Sequence, residues 1–342
     1  MPTEHTFYAD AVLFDMDGTL TDSISAVEAA WGKVANDIGQ DPAKVIAATH
    51  GKRAIDNLAQ FKPEIPAHAM DEEVQKFEES ILYFADAYHL HGPGANPPEN
   101  TFPSSGASSD ASTPALSVSG SSPSSRSSSF AASDARRPSF GSRLESNLQR
   151  AASEPRIVDL SRNDYEDAIV EGTQELQPKD KQVVQDELEA WQIEAAGVDR
   201  SVRILPGVKK MIESIPDGRW AVATSGARTY AYGCMTRVGI EPPPVTVTAD
   251  DKRLKAGKPA PDPFLLAAKR LGYDIKNCVV FEDSPSGIRA GVASGATVIA
   301  VCTSHEREKI EGLGAHYIVE NMDFVKCEVD PETNKLKFTV QA

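Results

Sequence analysis

Cysteine is scarce in this sequence. Four occur in 342 residues, at 234, 278, 302 and 327, and none are spaced as a thiolate metal site requires. Cys278 and Cys302 lie in or beside apolar, strand-like runs. The four therefore read as reduced, mostly buried thiols of a cytoplasmic protein, not as a disulfide framework. A catalytic cysteine would need a partnered histidine and a lowered thiol pKa. Long apolar runs are also missing, and no stretch approaches the length of a membrane span. The opening Met1-Pro-Thr-Glu-His-Thr has neither the basic start nor the apolar stretch of a secretion signal, so no membrane is expected as a partner. Basic charge is in deficit: 35 Lys and Arg face 50 Asp and Glu, a net charge of −15. That sign argues against nucleic acid as a partner. It leaves room for a small phosphorylated substrate, which responds only to the local field of a cleft. No internal repeat is present.

What is there suggests two domains, with 40% hydrophobic residues to build a core. Ile24, Val27, Trp31, Val34 and Ile38 fall at helical spacing, and a second amphipathic stretch from Asp71 to about Tyr88 carries Val74, Phe77 and Ile81, with Phe84 or Leu82. These stripes read as packing. They predict a small helical domain inserted after the first strand. From about Gly92 to Pro155 the composition shifts to Ser, Pro, Gly and Ala, with Arg126, Arg136, Arg137, Arg143 and Arg150 among few acids. Such a segment has too little to bury to offset its ordering entropy and is expected to be disordered. Arg136-Arg137-Pro138-Ser139 resembles a basophilic protein kinase site, and a kinase is the expected partner there; a solvated tether without regulation is the alternative. Helical pattern returns over Lys179–Ala196.

Strands and helices then alternate. Strands are predicted at Arg219–Thr224, Val245–Thr248, Cys278–Glu282 and Thr297–Cys302, with helices at Ala227–Val238, Pro261–Leu271 and Ser286–Ala293. This is the pattern of an α/β fold: a parallel sheet with helices on both faces. Val325–Val329 and Lys335–Val340 read as a terminal hairpin.

The chemistry is concentrated at strand ends. Ala11-Val-Leu-Phe-Asp-Met-Asp-Gly-Thr-Leu20 is a buried strand running into two acids one residue apart. Paired carboxylates there repel and desolvate badly unless a divalent cation joins them. Thr224-Ser225-Gly226 closes a second strand, where a hydroxyl and loop N–H groups suit a phosphoryl oxygen. Lys258 lies in a proline-stiffened loop, and Glu282-Asp283-Ser284 closes a third strand. Each has a plainer alternative: helix caps for Thr224, Ser225, Glu282 and Asp283, and a solvated charge for Lys258. Their joint placement at strand ends favours catalysis.

Asp15-Met16-Asp17-Gly18-Thr19 resembles the first motif of the haloacid dehalogenase-like phosphohydrolases, and the other three motifs follow in that family's order. Thr49-His50-Gly51-Lys52-Arg53, followed by Asp56, resembles the cap segment of the fungal glycerol-3-phosphatase and 2-deoxyglucose-6-phosphate phosphatase branch. The resemblance implies a Rossmann-like core over residues 1–22 and 200–342, a helical cap over 23–91 and 156–199, and a Ser/Pro-rich insertion over 92–155. It implies Asp15 as the nucleophile that forms an aspartyl-phosphate, and Asp17 as general acid and then base. Thr224 and Lys258 would cradle the phosphoryl group, with Ser225 and Gly226 beside them. Mg²⁺ would be held by Asp15, the Asp17 carbonyl, Asp283 and, directly or through water, Glu282. His50, Lys52 and Arg53 would face the substrate from the cap. Asp17 favours phosphoester chemistry, since family members that dehalogenate usually lack it. A sugar phosphomutase of the β-phosphoglucomutase type and a non-catalytic scaffold regulated through the Ser-rich segment are the alternatives.

Overall fold

Ala11, Val12, Leu13 and Phe14 are all fully buried, as a strand covered on both faces must be. In the computed structural model, which describes residues 4–95 and 191–341, they form the strand that leads to the first motif. The chain opens with β1 (Glu4–Ala9), β2 (Ala11–Phe14) and β3 (Thr21–Asp22). Four helices follow: α1 (Ile24–Asp37), α2 (Pro42–Thr49), α3 (Ala54–Phe61) and α4 (Met70–His91). Residues 191–197 are helical (α5). Next come β4 (Arg203–Ile204), α6 (Val208–Glu213), β5 (Trp220–Ala223), α7 (Arg228–Arg237), β6 (Thr246–Val247) and α8 (Asp262–Leu271). The chain closes with β7 (Cys278–Glu282), α9 (Pro285–Ser294), β8 (Thr297–Val301), α10 (Arg307–Ile310), β9 (Tyr317–Val319), β10 (Val325–Val329) and β11 (Leu336–Gln341). All but the first four residues of the disorder expected over 92–155, the kinase-site resemblance at Ser139 and most of the helix expected over 179–196 lie outside the described residues.

Six strands form one parallel sheet in the order β6-β5-β2-β7-β8-β9. From β2 the chain steps outward through β5 to β6, then crosses back to β7 and steps outward the other way. The order therefore reverses beside β2. A crevice opens at such a switch point, outside the carboxyl ends of the strands. Phe14 lies opposite Val222 and Phe281, so β2, β5 and β7 end level with one another. Three of the four sequence motifs thus meet on adjacent strand ends.

Alternate residues point to opposite faces of the sheet. Leu13, Ala221, Val280 and Cys278 pack with Phe264 of α8 and Ile288 of α9. Phe14, Val222 and Phe281 pack with Met211 of α6, Met235 of α7 and Phe338 of β11. The second face is therefore shared: helices cover part of it, and a three-stranded antiparallel sheet, β1-β11-β10, covers the rest. The predicted hairpin is two of those strands. The third, β1, gives a weak local signal because Glu4, His5, Thr6 and Tyr8 are exposed. Phe14, Phe281 and Phe338 stack through this layer at centroid spacings of 5.2 and 6.4 Å. Truncating a fully buried phenylalanine of this kind costs ~3–5 kcal/mol.

The helices α1–α4 form the inserted layer. Trp31 of α1 and Phe77 of α4 meet ring on ring at 4.1 Å, and Trp191 of α5 packs against Tyr83 and Phe84 of α4. The aromatic stripes are packing, as their spacing suggested. The short helices α2 and α3 did carry local signals: Asp41 caps α2 by accepting from Ala43 N–H, and Pro42 opens it. No helix among the described residues is long and apolar enough to cross a membrane.

Candidate active site

The turn after β2 sets the geometry. Asp15 N–H continues the ladder to the Phe281 carbonyl at 3.0 Å, while the Leu20 and Thr21 N–H groups fold back on the Met16 carbonyl. Gly18 has φ +79°, and a Cβ there would stand 2.2 Å from Asp283 Oδ2. Glycine is required twice over, by the left-handed backbone and by the close approach of a carboxylate. Thr19 Oγ1 donates to Asp283 Oδ1 at 3.2 Å, and Ser304 Oγ donates to Asp283 Oδ2.

Lys258 is 3% exposed and stands between two acids. Its ammonium donates to Asp15 Oδ1 and to Glu282 Oε1, the latter at 2.8 Å. The other oxygen of Glu282 accepts from Asp283 N–H, Ser284 N–H and Ser284 Oγ, at 2.8, 2.9 and 3.1 Å. Gly287 makes room for this carboxylate, since a Cβ there would lie 1.5 Å from Glu282 Oε1. Glu282 is thus committed to positioning Lys258 and the loop after β7.

Asp15, Glu282 and Asp283 each place a carboxylate oxygen within 4.8 Å of the others. Burial pushes Asp15 up to about 7 against the pull of Lys258, with Glu282 and Asp17 adding to the rise. Burial, then Glu282 and Asp15, raise Asp283 well above the carboxylate range. Burial opposes the charge on Lys258, but Asp15 and Glu282 outweigh it and hold the ammonium above its ordinary range. One lysine does not balance this many buried acids. The donor set, hard oxygens in surplus negative charge, fits a divalent cation such as Mg²⁺.

The Asp17 carboxylate is turned away from that cluster. Its Oδ1 accepts from Ser23 Oγ and from Tyr230 OH, each at 2.5 Å. Burial raises its pKa, and the hydrogen bonds from Ser23 and Tyr230 oppose the rise. Thr224 Oγ1 accepts from Gly226 N–H at 3.0 Å, and Ser225 Oγ donates to the Gly51 carbonyl at 3.1 Å. Ser225 therefore joins the end of β5 to the loop between α2 and α3.

A cleft opens over Asp15 and Asp17, walled by α1 and α4 through Val27, Trp31, Phe77 and Ile81. His50, Lys52, Ser225 and Gly226 also line it. Arg53 does not: its guanidinium forms a two-pronged pair with Asp56 at 2.8 and 2.9 Å and lies against Gly257. That pairing occupies the guanidinium that the sequence pattern assigns to the substrate. Lys52 borders the cleft, but its ammonium donates to the Ala48 carbonyl at 2.9 Å. The cluster of cap cations inferred from sequence is thus split up by local partners.

Ser23, Ser304, Tyr230 and Glu78 all escaped sequence reading; the two serines sit in connections between elements, with no motif of their own. Tyr230 gave no signal beyond its place in a helix. Glu78 gave one: it falls on the apolar stripe of α4 beside Phe77 and Ile81, where an acid is out of place. It is 3% exposed, lines the cleft and accepts from Ala227 N–H at 2.7 Å. Burial pushes it up to about 8; the Ala227 bond opposes this, while Asp250 and Asp17 reinforce it. All four cysteines are free; Cys234 is buried beside Tyr230 and Asp17, and burial pushes Cys278 up to about 12 and Cys327 to about 11.

The sequence matches the haloacid dehalogenase-like hydrolase family over residues 9–101 and 123–295. It is 34% identical over 151 residues to glycerol-1-phosphate phosphohydrolase 2 of Saccharomyces cerevisiae, covering 41% of this chain and 59% of that protein. It is 30% identical over 138 residues to 2-deoxyglucose-6-phosphate phosphatase 2 of the same yeast, covering 35% of this chain and 55% of that protein. The match thus spans somewhat more than half the length of these relatives. The fold is similar to that of a hydrolase from Pseudomonas syringae, with a TM-score of 0.50 at 17% identity, over 91% of this chain and 93% of that one.

Proposed function

The chain belongs to the haloacid dehalogenase-like hydrolases, and from that premise we propose that it is a Mg²⁺-dependent phosphatase of small phosphorylated polyols or sugars. The observation that carries this reading is the separation of its two motif carboxylates. Asp15 lies in the acid cluster against Lys258, while Asp17 is held outside it by Ser23 and Tyr230. Two acids so placed can divide nucleophilic from acid–base work.

In this reading Asp15 attacks phosphorus and forms an aspartyl-phosphate. Asp17, its pKa raised by burial, holds the proton that the leaving alkoxide takes up. It then accepts a proton from the water that hydrolyses the phosphoenzyme. Ser23 and Tyr230 fix the orientation of its carboxylate in both half-reactions. Lys258 offsets the charge shared by Asp15 and the phosphoryl oxygens, and Glu282 holds Lys258 in place. Ser225 and Gly226 line the cleft, and Thr224, whose hydroxyl accepts from Gly226 N–H, would complete its phosphoryl side. Asp15, Asp283 and the Asp17 carbonyl would hold Mg²⁺, which neutralises charge on nucleophile and phosphate when bound. Ser304 and Thr19 orient Asp283 for that role. The leaving group occupies the cleft under Trp31 and Phe77, where Glu78, Thr49 and His50 offer polar contacts to its hydroxyls. The names of the two yeast relatives support a polyol or sugar phosphate.

The test is release of inorganic phosphate, with Mg²⁺ and with EDTA, from a panel including glycerol phosphates and 2-deoxyglucose-6-phosphate. Metal-dependent release supports the proposal, and the ranking names the substrate. Isomerisation of a sugar phosphate without net release would assign a mutase instead. Neither activity, in folded protein with Mg²⁺, would overturn the enzymatic reading.

A further inference from the structure

The loop after α2 and the loop after β8 bring two histidines together above Asp283. His50 and His305 meet edge to face, with ring centroids 4.5 Å apart. One ligand atom from each of His50, His305 and Asp283 lies within 4.8 Å of the others. Two further observations concern the nitrogens. His50 Nε2 is buried and has no hydrogen-bond partner, which is costly for a ring nitrogen unless something binds it. His305 Nδ1 lies 2.9 Å from Ser304 Oγ. The single hydroxyl proton of Ser304 goes to Asp283, so His305 Nδ1–H must be the donor in this contact. The lone pair of His305 is then left on Nε2. A histidine held by its other N–H in a chain that ends on a carboxylate is the usual support of a metal-bound imidazole.

We propose that His50, His305 and Asp283 form a second metal site, selective for a divalent transition ion of the zinc class, which inhibits the enzyme. Zinc takes nitrogen ligands at ~2.0–2.1 Å in tetrahedral geometry, which places ligands ~3.4 Å apart, so the three side chains need only a small inward shift. Imidazole suits zinc, whereas Mg²⁺ prefers oxygen, so the histidines supply the discrimination. Around the site, Glu28 and Glu282 face His50, and Lys309 is the cation facing His305. A bound ion would draw Asp283 out of the acid cluster and pin the α2–α3 loop to the core loop after β8. Both effects oppose turnover. The inhibition rests on the phosphatase reading; the binding does not.

The test is calorimetric titration of Zn²⁺ into the whole protein with Mg²⁺ in millimolar excess. Wild type should bind one Zn²⁺. Asp15→Asn should still bind it, while His50→Ala and His305→Ala should each weaken it by about 100-fold or more. His305→Gln serves as a second variant should His305→Ala fail to fold. In phosphate-release assays, micromolar Zn²⁺ should inhibit wild type and lose its potency against His305→Ala. Zinc bound equally by wild type and the histidine variants, as simple competition at the Mg²⁺ cluster would give, overturns the proposal. So does the absence of binding. Zinc binding with no phosphatase activity would leave the metal site standing and remove only its inhibitory role.

Discussion

Replacing Lys258 with methionine removes the one buried cation from between Asp15 and Glu282, with little change in volume. Breaking a buried ion pair from one side costs ~3–5 kcal/mol. Glu282 keeps the three other donors that hold its second oxygen, so the burden falls on Asp15. Its carboxyl already sits at about 7 in the folded protein, and loss of the cation moves it higher. The sign follows from linkage: a group raised on folding stabilises fully below its unfolded pKa, near 4, and loses that contribution as pH rises through the folded value. The variant can relieve the lost charge by protonating Asp15 at acid pH but not at alkaline pH. Lys258 itself stays charged throughout this window. The stability gap between wild type and Lys258→Met should therefore be wider at pH 8 than at pH 5 by up to ~1.4 kcal/mol, the linkage over the one pH unit above the folded value of about 7, measured by urea unfolding without metal. Phosphate release at pH 7 should fall by ~10²–10³-fold, the usual effect of deleting one charge-stabilising group. A gap that does not change between pH 5 and pH 8, or activity within tenfold of wild type, would refute the argument.

Asp15→Asn should abolish phosphate release while thermal melting shows a retained fold. Glu78→Gln should flatten the stability profile. Wild type should lose up to ~4 kcal/mol as pH rises from about 4.5 to about 8, because Glu78 sits at about 8 when folded, and glutamine has no such slope; equal slopes in urea melts would exclude Glu78 as their source. Gly18→Ala places a Cβ 2.2 Å from Asp283 Oδ2 at φ +79°. Beyond ~1–2 kcal/mol of backbone strain, it should raise the Mg²⁺ concentration for half-maximal activity, and an unchanged metal requirement would show that Asp283 is not a ligand.

The catalytic strands were legible because each carries its own signal: an apolar run, then acids, hydroxyls or glycine, at lengths only a strand fits. Residues 11–14, 220–223 and 278–282 needed no partner to be recognised. The antiparallel layer was half legible, since β1 makes sense only opposite β11, a pairing no local window contains. The cap loop is a different case. His50, Lys52 and Arg53 are adjacent in sequence, yet Arg53 turns to Asp56 and Lys52 to the Ala48 carbonyl. Adjacent residues fan out at a helix junction, and each finds its own partner. Glu78 reaches Ala227 and Tyr230 reaches Asp17 across more than a hundred residues, and only the fold brings them there.

The pairing of β1 with β11, from Glu4 opposite Gln341 to Ala9 opposite Leu336, has a consequence in time. A single residue, Asp10, separates β1 from the strand that delivers Asp15, and Arg219 clasps the Asp10 carbonyl to the carbonyl of Asn334. On the ribosome the nucleophile's strand emerges more than three hundred residues before β11, the strand that backs it. Until then one edge of β1 and an aromatic face stay uncovered, open to pairing with other chains. A chain cut short of residue 336 should therefore aggregate instead of folding to a weakened enzyme.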